Sequence, residues 1–151
     1  MTNLIKSIQF ISNHPKWQFD MKEARILSQN GKSQTAYLIF DLPWPLMDRD
    51  AIQMSTEEKT KLTYRWTSLS TTNEFVPLNP KYLRASQSGS LWDLKEVENG
   101  VEVTLFFWFK PTKVPIWILK IALPGRQKRL YKNLLAFANN YSSKTNTSVK
   151  N

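Results

Sequence analysis

The chain has 151 residues, 41% hydrophobic and 13% aromatic, which suits one domain around one core, and its 21 Lys and Arg outnumber 12 Asp and Glu. With no cysteine and a single histidine, His14, it has no disulfides, thiolate nucleophile or zinc ribbon. Glycines 31, 89, 100 and 125 lie too far apart for a phosphate-cradling loop. The longest apolar run, Val103 to Phe109, is far short of a membrane span, and MTNLIKSIQF does not read as a signal peptide. The expected location is cytoplasmic. Residues 1–102 hold 12 basic and 12 acidic side chains, whereas residues 103–151 hold 9 basic and no acidic ones. The positive field of the last third suits a phosphate-bearing surface, and its bland alternative is a solvated helix face.

Leu4, Ile5, Ile8 and Ile11 recur at helical spacing after a cap at Thr2 or Asn3, and His14-Pro15 stops the pattern, so a short amphipathic helix over 3–12 opens the chain. His14 is expected at the surface or as a cap, not as a metal ligand. Segments 22–29 and 34–41 flank Asn30-Gly31 as a hairpin. Residues 42–50, LPWPLMDRD, contain two prolines and read as an ordered crossing loop with Trp44 as its packing anchor. Strands follow at 51–56 and 61–69, the second alternating Leu62, Tyr64 and Trp66 with Lys61, Thr63, Arg65 and Thr67. Glu57 and Glu58 between them read as turn residues.

After a polar loop with Pro77 and Pro80, strands are expected at 81–87 and 90–98, and Asn99-Gly100 turns the chain into a strand at 101–109. That strand ends apolar on both faces, through Phe107 and Phe109 on one side and Phe106 and Trp108 on the other. Either another element covers Phe106 and Trp108 or they mark an interface. Pro124 and Gly125 separate an apolar run at 115–123 from a longer helix over about 126–142. There Leu130, Leu134, Phe137, Ala138 and Tyr141 share a stripe opposite Lys128, Lys132 and Asn139. Residues 143–151 carry too little apolar surface to pack and are expected to be a disordered tail.

PWPLMDRD resembles the proline- and tryptophan-containing loop of START domains, the steroidogenic-acute-regulatory-protein-related lipid-transfer family. NHPKWQFDMKEARIL is similar to that family's helix-to-strand stretch, and VTLFFWFKPTKVPIWILKIALPGRQKRLYKNLLAF to its last strand, proline loop and closing helix. The resemblance covers residues 1–142. It implies an α+β helix-grip fold, shared with the wider Bet v 1-like and polyketide cyclase superfamily, in which a curved antiparallel sheet wraps a long C-terminal helix around a cavity for one lipid. The family begins with a further helix and strands ahead of the point where this chain starts, so the first strands are expected to be missing. A second subunit, as a homodimer, then supplies the edge, or Phe106 and Trp108 stay exposed. Arg49-Asp50 matches the family's arginine–aspartate pair, but Ser55 stands where sterol-transferring members carry another arginine, which speaks against a sterol.

The cavity lining implied by the resemblance is Tyr64, Trp66, Trp92, Leu94, Leu105, Phe107 and Phe109 on the sheet with Leu134, Phe137 and Tyr141 on the helix; a packed core has the same composition. Arg49 either orients a ligand head group or forms a structural ion pair with Asp48, Asp50 or another carboxylate. No catalytic residue, metal or cofactor is expected. The leading reading is non-enzymatic binding of a hydrophobic small molecule, for transfer or sensing, with Arg126, Lys128, Arg129 and Lys132 touching an anionic membrane. The alternatives are a polyketide cyclase-like enzyme of the same fold and, ranked last for want of a motif, a nucleic-acid-binding protein.

Overall fold

Among the described residues, every strand pairing but one is antiparallel. The computed structural model describes residues 1–44, 46–73, 76–110, 114–122 and 125–146, with backbone alone at 116, 119, 122 and 141–146. Strands β1 (Met21–Asn30), β2 (Ser33–Phe40), β3 (Arg49–Lys59), β4 (Thr63–Ser70), β5 (Leu83–Arg84), β6 (Ser88–Val97) and β7 (Gly100–Phe109) form one sheet. Its order is β1-β2-β3-β4-β6-β7, with β5 parallel against the start of β3. Helix α1 (Thr2–Gln9) and a 3-10 turn (Ile11–Lys16) precede the sheet, and α2 (Ile116–Ala122) and α3 (Arg126–Asn146) follow it. This is the helix-grip architecture: a curved antiparallel sheet with the C-terminal helix against its inner face, where Leu130 and Leu134 of α3 join Tyr64, Trp66, Trp92 and Leu94 in one buried cluster.

Several expected boundaries move. Asn30 pairs with Ser33 and Val97 with Gly100, so the two-residue turns are Gly31-Lys32 and Glu98-Asn99, each one residue from the expected centre. Gly31 takes φ +54°, a left-handed conformation that costs glycine no steric clash. The crossing loop ends at Asp48, because Arg49 and Asp50 already pair with Phe40 and Ile39. Glu57 and Glu58 lie inside β3 rather than in a turn, and Glu57 accepts a 2.9 Å hydrogen bond from Gln9 Nε2 that ties α1 to the sheet. Of 81–87, only Leu83 and Arg84 pair as strand. The first helix closes at Gln9, and the 3-10 turn carries the remaining apolar position, Ile11. Helix α3 runs past 142 to Asn146, and residues 147–151 lie outside the described residues.

His14 is buried rather than at the surface. Its Nε2–H donates to the Ile8 carbonyl at 2.7 Å, so it does cap the end of α1, and its ring packs against Trp17 at 4.8 Å. Desolvation lowers its pKa to about 4, outweighing that hydrogen bond.

Candidate ligand-binding site

Alternation along the strands sends one set of side chains to the inner face, and the register fixes which of them meet. Lys59, Tyr64, Leu94 and Val103 form one cross-strand row; Glu57, Trp66, Trp92 and Leu105 form the next. Tyr64, Trp66, Trp92, Leu94 and Leu134, all expected cavity residues, are brought together with Ile5, Ile8 and Trp17. Tyr64 and Trp66 stack at 6.5 Å, and Trp17 meets Trp92 edge-on at 5.9 Å. Tyr64, Leu94 and Leu134 are each 0% exposed, so no water-sized space reaches them and this end of the inner face is packed.

Further along, the inner face changes character. Gln34, Ser55, Ser68, Ser90 and Phe107 make one row. In the row beyond it, Gln53 pairs with Ser70 on one side and Ser88 with Phe109 on the other. Ser55 and Ser68 share a buried 2.8 Å hydrogen bond, and Ser70 Oγ donates to the Ser88 carbonyl at 2.8 Å. Leu105 and Phe137 pack part-buried against the closed cluster. Phe107 is half-buried and Phe109 exposed, so the apolar face opens along β7, the last strand of the sheet order. Tyr141 lies on α3, with its side chain outside the described residues.

Arg49 is half-buried at the start of β3, opposite Phe40, where desolvation lowers its pKa. Its neighbour Asp50 is clamped on the outer face by a residue that the sequence did not single out. Arg84 Nε and Nη2 each donate at 2.9 Å to the Asp50 carboxylate, and Tyr37 Oη donates at 3.0 Å. Burial and the Asp50 hydrogen bond push the Tyr37 phenol up to about 12. Only the fork geometry of an arginine opposite a carboxylate could have hinted at the pair, and twenty other Lys and Arg side chains stand as candidates for any one acid on sequence grounds alone. Asp48 is bridged by Lys22 at 2.9 Å, and Lys22 also reaches Asp41 at 3.0 Å, which closes the 41–48 loop. Trp44 does not anchor that loop by packing: it is 92% exposed.

The basic residues of α3 divide. Arg126 is part-buried, which lowers its pKa, and its contact with the Asp20 carboxylate ties the start of α3 to the residue ahead of β1. Arg129 lies 4.2 Å over the Phe19 ring. Lys128 and Lys132 are exposed, as are Trp117 and Ile121 of α2. On the outer face of the single chain Phe106 and Trp108 are exposed. Trp108 lies flat on Gly89, where a Cβ would come within 2.3 Å of its ring. Two outer-face grooves, about 350 and 600 Å³, are lined in the first case by charged groups such as Arg65, Asp93 and Lys95 and in the second by Tyr37, Tyr82 and Arg25. Neither is the space between sheet and α3. Among the described residues no group of His, Asp or Glu could hold a metal, and no helix is long and apolar enough to cross a membrane.

No family model matches the sequence. The uncharacterized protein PA1579 of Pseudomonas aeruginosa is 29% identical over 105 residues, covering 68% of this chain and 52% of that protein, so the chain spans about half the length of this relative. The structure is similar to a STAR-related lipid transfer protein fragment from Xanthomonas axonopodis, with TM-score 0.79 and 20% identity over 91% of this chain and 78% of that one. It is similar to human STARD10 at TM-score 0.77 and 19% identity, covering 99% of this chain and 63% of that one. Human StAR-related lipid transfer protein 5 superimposes at TM-score 0.75 and 12% identity, over 91% and 71%. In fold, the chain is a START-like domain.

Proposed function

We propose that the chain binds one lipid or other hydrophobic small molecule between the inner face of the sheet and α3, as a carrier or sensor and not as an enzyme. The observation that carries this reading is the apolar strip of Leu105, Phe107, Phe109 and Phe137, left part-open beside a closed aromatic cluster on a START-like sheet. A strip of this kind suits an acyl chain or ring system with few polar anchors. The exposed Lys128 and Lys132, with Arg129, give α3 a positive side for an anionic membrane, each charge adding about 1 kcal/mol near such a surface.

Native mass spectrometry of the protein after incubation with phosphatidylcholine vesicles tests the reading. The expected result is one apolar adduct per chain, and its absence at saturating lipid would refute binding. The same spectrum reads the subunit count. Antiparallel pairing of β7 with its copy about Phe106 sets Glu102 opposite Lys110 twice, and Phe107 and Phe109 opposite Leu105 and Val103, so a dimer is the expected mass. A monomer at micromolar concentration would remove that pairing without touching the lipid reading.

A further inference from the structure

The outer face of the sheet is covered unevenly. Near the start of β3 the fold covers its own apolar side chains, with Val76 and Tyr82 packed on Tyr37, Ile39 and Ile52. Toward β7 they stay in solvent. Register puts Met54, Leu69, Gly89 and Trp108 in one cross-strand row and Thr56, Thr67, Leu91 and Phe106 in the next. Met54, Leu69, Phe106 and Trp108 are 37–59% exposed and Leu91 is part-buried, so five apolar side chains on four strands form one patch. Trp108 lies down on Gly89, and its ring is 5.7 Å from that of Phe106, which keeps the patch low and flat. A flat sheet face packs well on another sheet about 10 Å away. In the bordering row Arg65 donates to Asp93 at 2.9 Å, so these two rim charges already offset each other.

Area decides what can cover this patch. About half of two aromatic and two long aliphatic side chains is roughly 400 Å² of apolar surface, whereas a stable interface buries about 800 Å² on each partner. One chain's patch is too small to hold a second chain by itself. Pairing of β7 with its copy about Phe106 changes the sum. A two-fold axis perpendicular to the sheet turns both outer faces to the same side and brings the two Phe106 side chains together at the seam, so the patches merge and double. We propose that two β7-paired dimers stack through this merged face into a tetramer; this rests on the edge pairing described above. Two such pairs, face to face, close with dihedral symmetry, gather four Phe106 side chains at the centre and leave no matching face for further growth.

Sedimentation equilibrium of the full chain, from micromolar to near-millimolar concentration, tests the proposal. The mass is expected to rise from two chains to four and to stop there. Leu69→Lys, on β4 and two strands from the paired edge, should leave the two-chain species intact and weaken its stacking at least a hundredfold, because each stack would bury four unpaired ammonium groups. Met54→Lys should do the same, and unchanged circular dichroism verifies that both variants fold. Glu102→Lys, which sets like charges opposite Lys110 in the edge pair, should yield single chains that do not stack. Two chains at every concentration would overturn the stack and leave the edge pairing standing. A single chain throughout would overturn the edge pairing and the stack with it. Tetramers undiminished by Leu69→Lys, or two-chain species that survive Glu102→Lys but not Leu69→Lys, would overturn the merged face.

Discussion

Replacing Asp50 by Asn strands a buried guanidinium. Arg84 donates twice to the Asp50 carboxylate at 2.9 Å, and the side chains of Asp50 and Arg84 are 1% and 18% exposed. An Asn offers one oxygen in place of two and turns an amide N–H toward one of the arginine donors. The pair thus loses a charge-assisted bond, gains a donor–donor contact and leaves Arg84 with little water to replace what it has lost. Breaking a buried pair in this way costs about 3 kcal/mol. With a urea m-value of about 2 kcal/mol/M, the unfolding midpoint should fall by about 1.5 M. Urea titration followed by both tryptophan fluorescence and circular dichroism measures this, and coincident curves verify that one transition is being read. Asp50→Leu combined with Arg84→Met should lose less than either single change, since no charge remains unpaired. A fall of under 0.5 M for Asp50→Asn at unchanged m would refute the reasoning, and would mean that residues 83–85 leave β3 at almost no cost.

The pH dependence of stability should carry the signature of His14. Its folded pKa of about 4 lies below the ordinary imidazole value of 6.5, so protonation favours the unfolded chain; the neutral ring's contribution is complete above pH 6.5 and is lost as pH falls toward 4, about 3 kcal/mol in total. Urea midpoints from pH 7.5 to 4.5 should therefore fall more steeply for wild type than for His14→Gln, and parallel slopes would contradict the assignment. Gly89→Ala places a Cβ 2.3 Å from Trp108 Cζ2 and 2.6 Å from the Ser68 carbonyl oxygen, and should cost about 2 kcal/mol in thermal or urea unfolding. Because the Ser68 contact is backbone, adding Trp108→Ala should restore only part of that loss; full restoration would locate the whole clash in the indole. Lys128→Glu with Lys132→Glu should weaken sedimentation with anionic vesicles at least thirtyfold in 0.1 M salt and leave binding to neutral vesicles unchanged. Undiminished binding would mean that another surface docks.

Period-two alternation made much of the inner face legible, because once one face is buried a strand has no freedom to choose which residues face inward. Tyr64 and Trp66 on β4 and Leu105 on β7 follow from it, as do Leu130, Leu134 and Ala138 from the helical stripe of α3. The glycine signals put both hairpins within one residue of their turns. Asp50 with Arg84 was out of reach, since the pair spans 34 residues and Arg49 stands next door in the sequence. His14 is buried because the end of α1 offers it a free carbonyl at Ile8, a matter of how the chain folds back, which composition does not encode. Trp44 between prolines has the look of an anchor, but an aromatic ring packs only where a surface lies beneath it. Nor could the sequence divide lining from core: Leu94 and Phe107 are the same kind of residue on the same face, and only the position of α1 and α3 closes one and leaves the other part-open.

The burial of the tryptophans gives the protein two built-in optical channels. Trp17, Trp66 and Trp92 lie in the interior cluster, while Trp44, Trp108 and Trp117 stand at the surface, in the crossing loop, on the outer face of β7 and on α2. An aqueous quencher such as iodide reaches the second group and spares the first, so the emission left after quenching comes from the rings that border the proposed ligand. The quenchable part comes from rings that a membrane or a second protein would shield. A single unlabelled sample therefore distinguishes filling from docking, one seen as a spectral change that iodide does not touch and the other as a loss of iodide's effect.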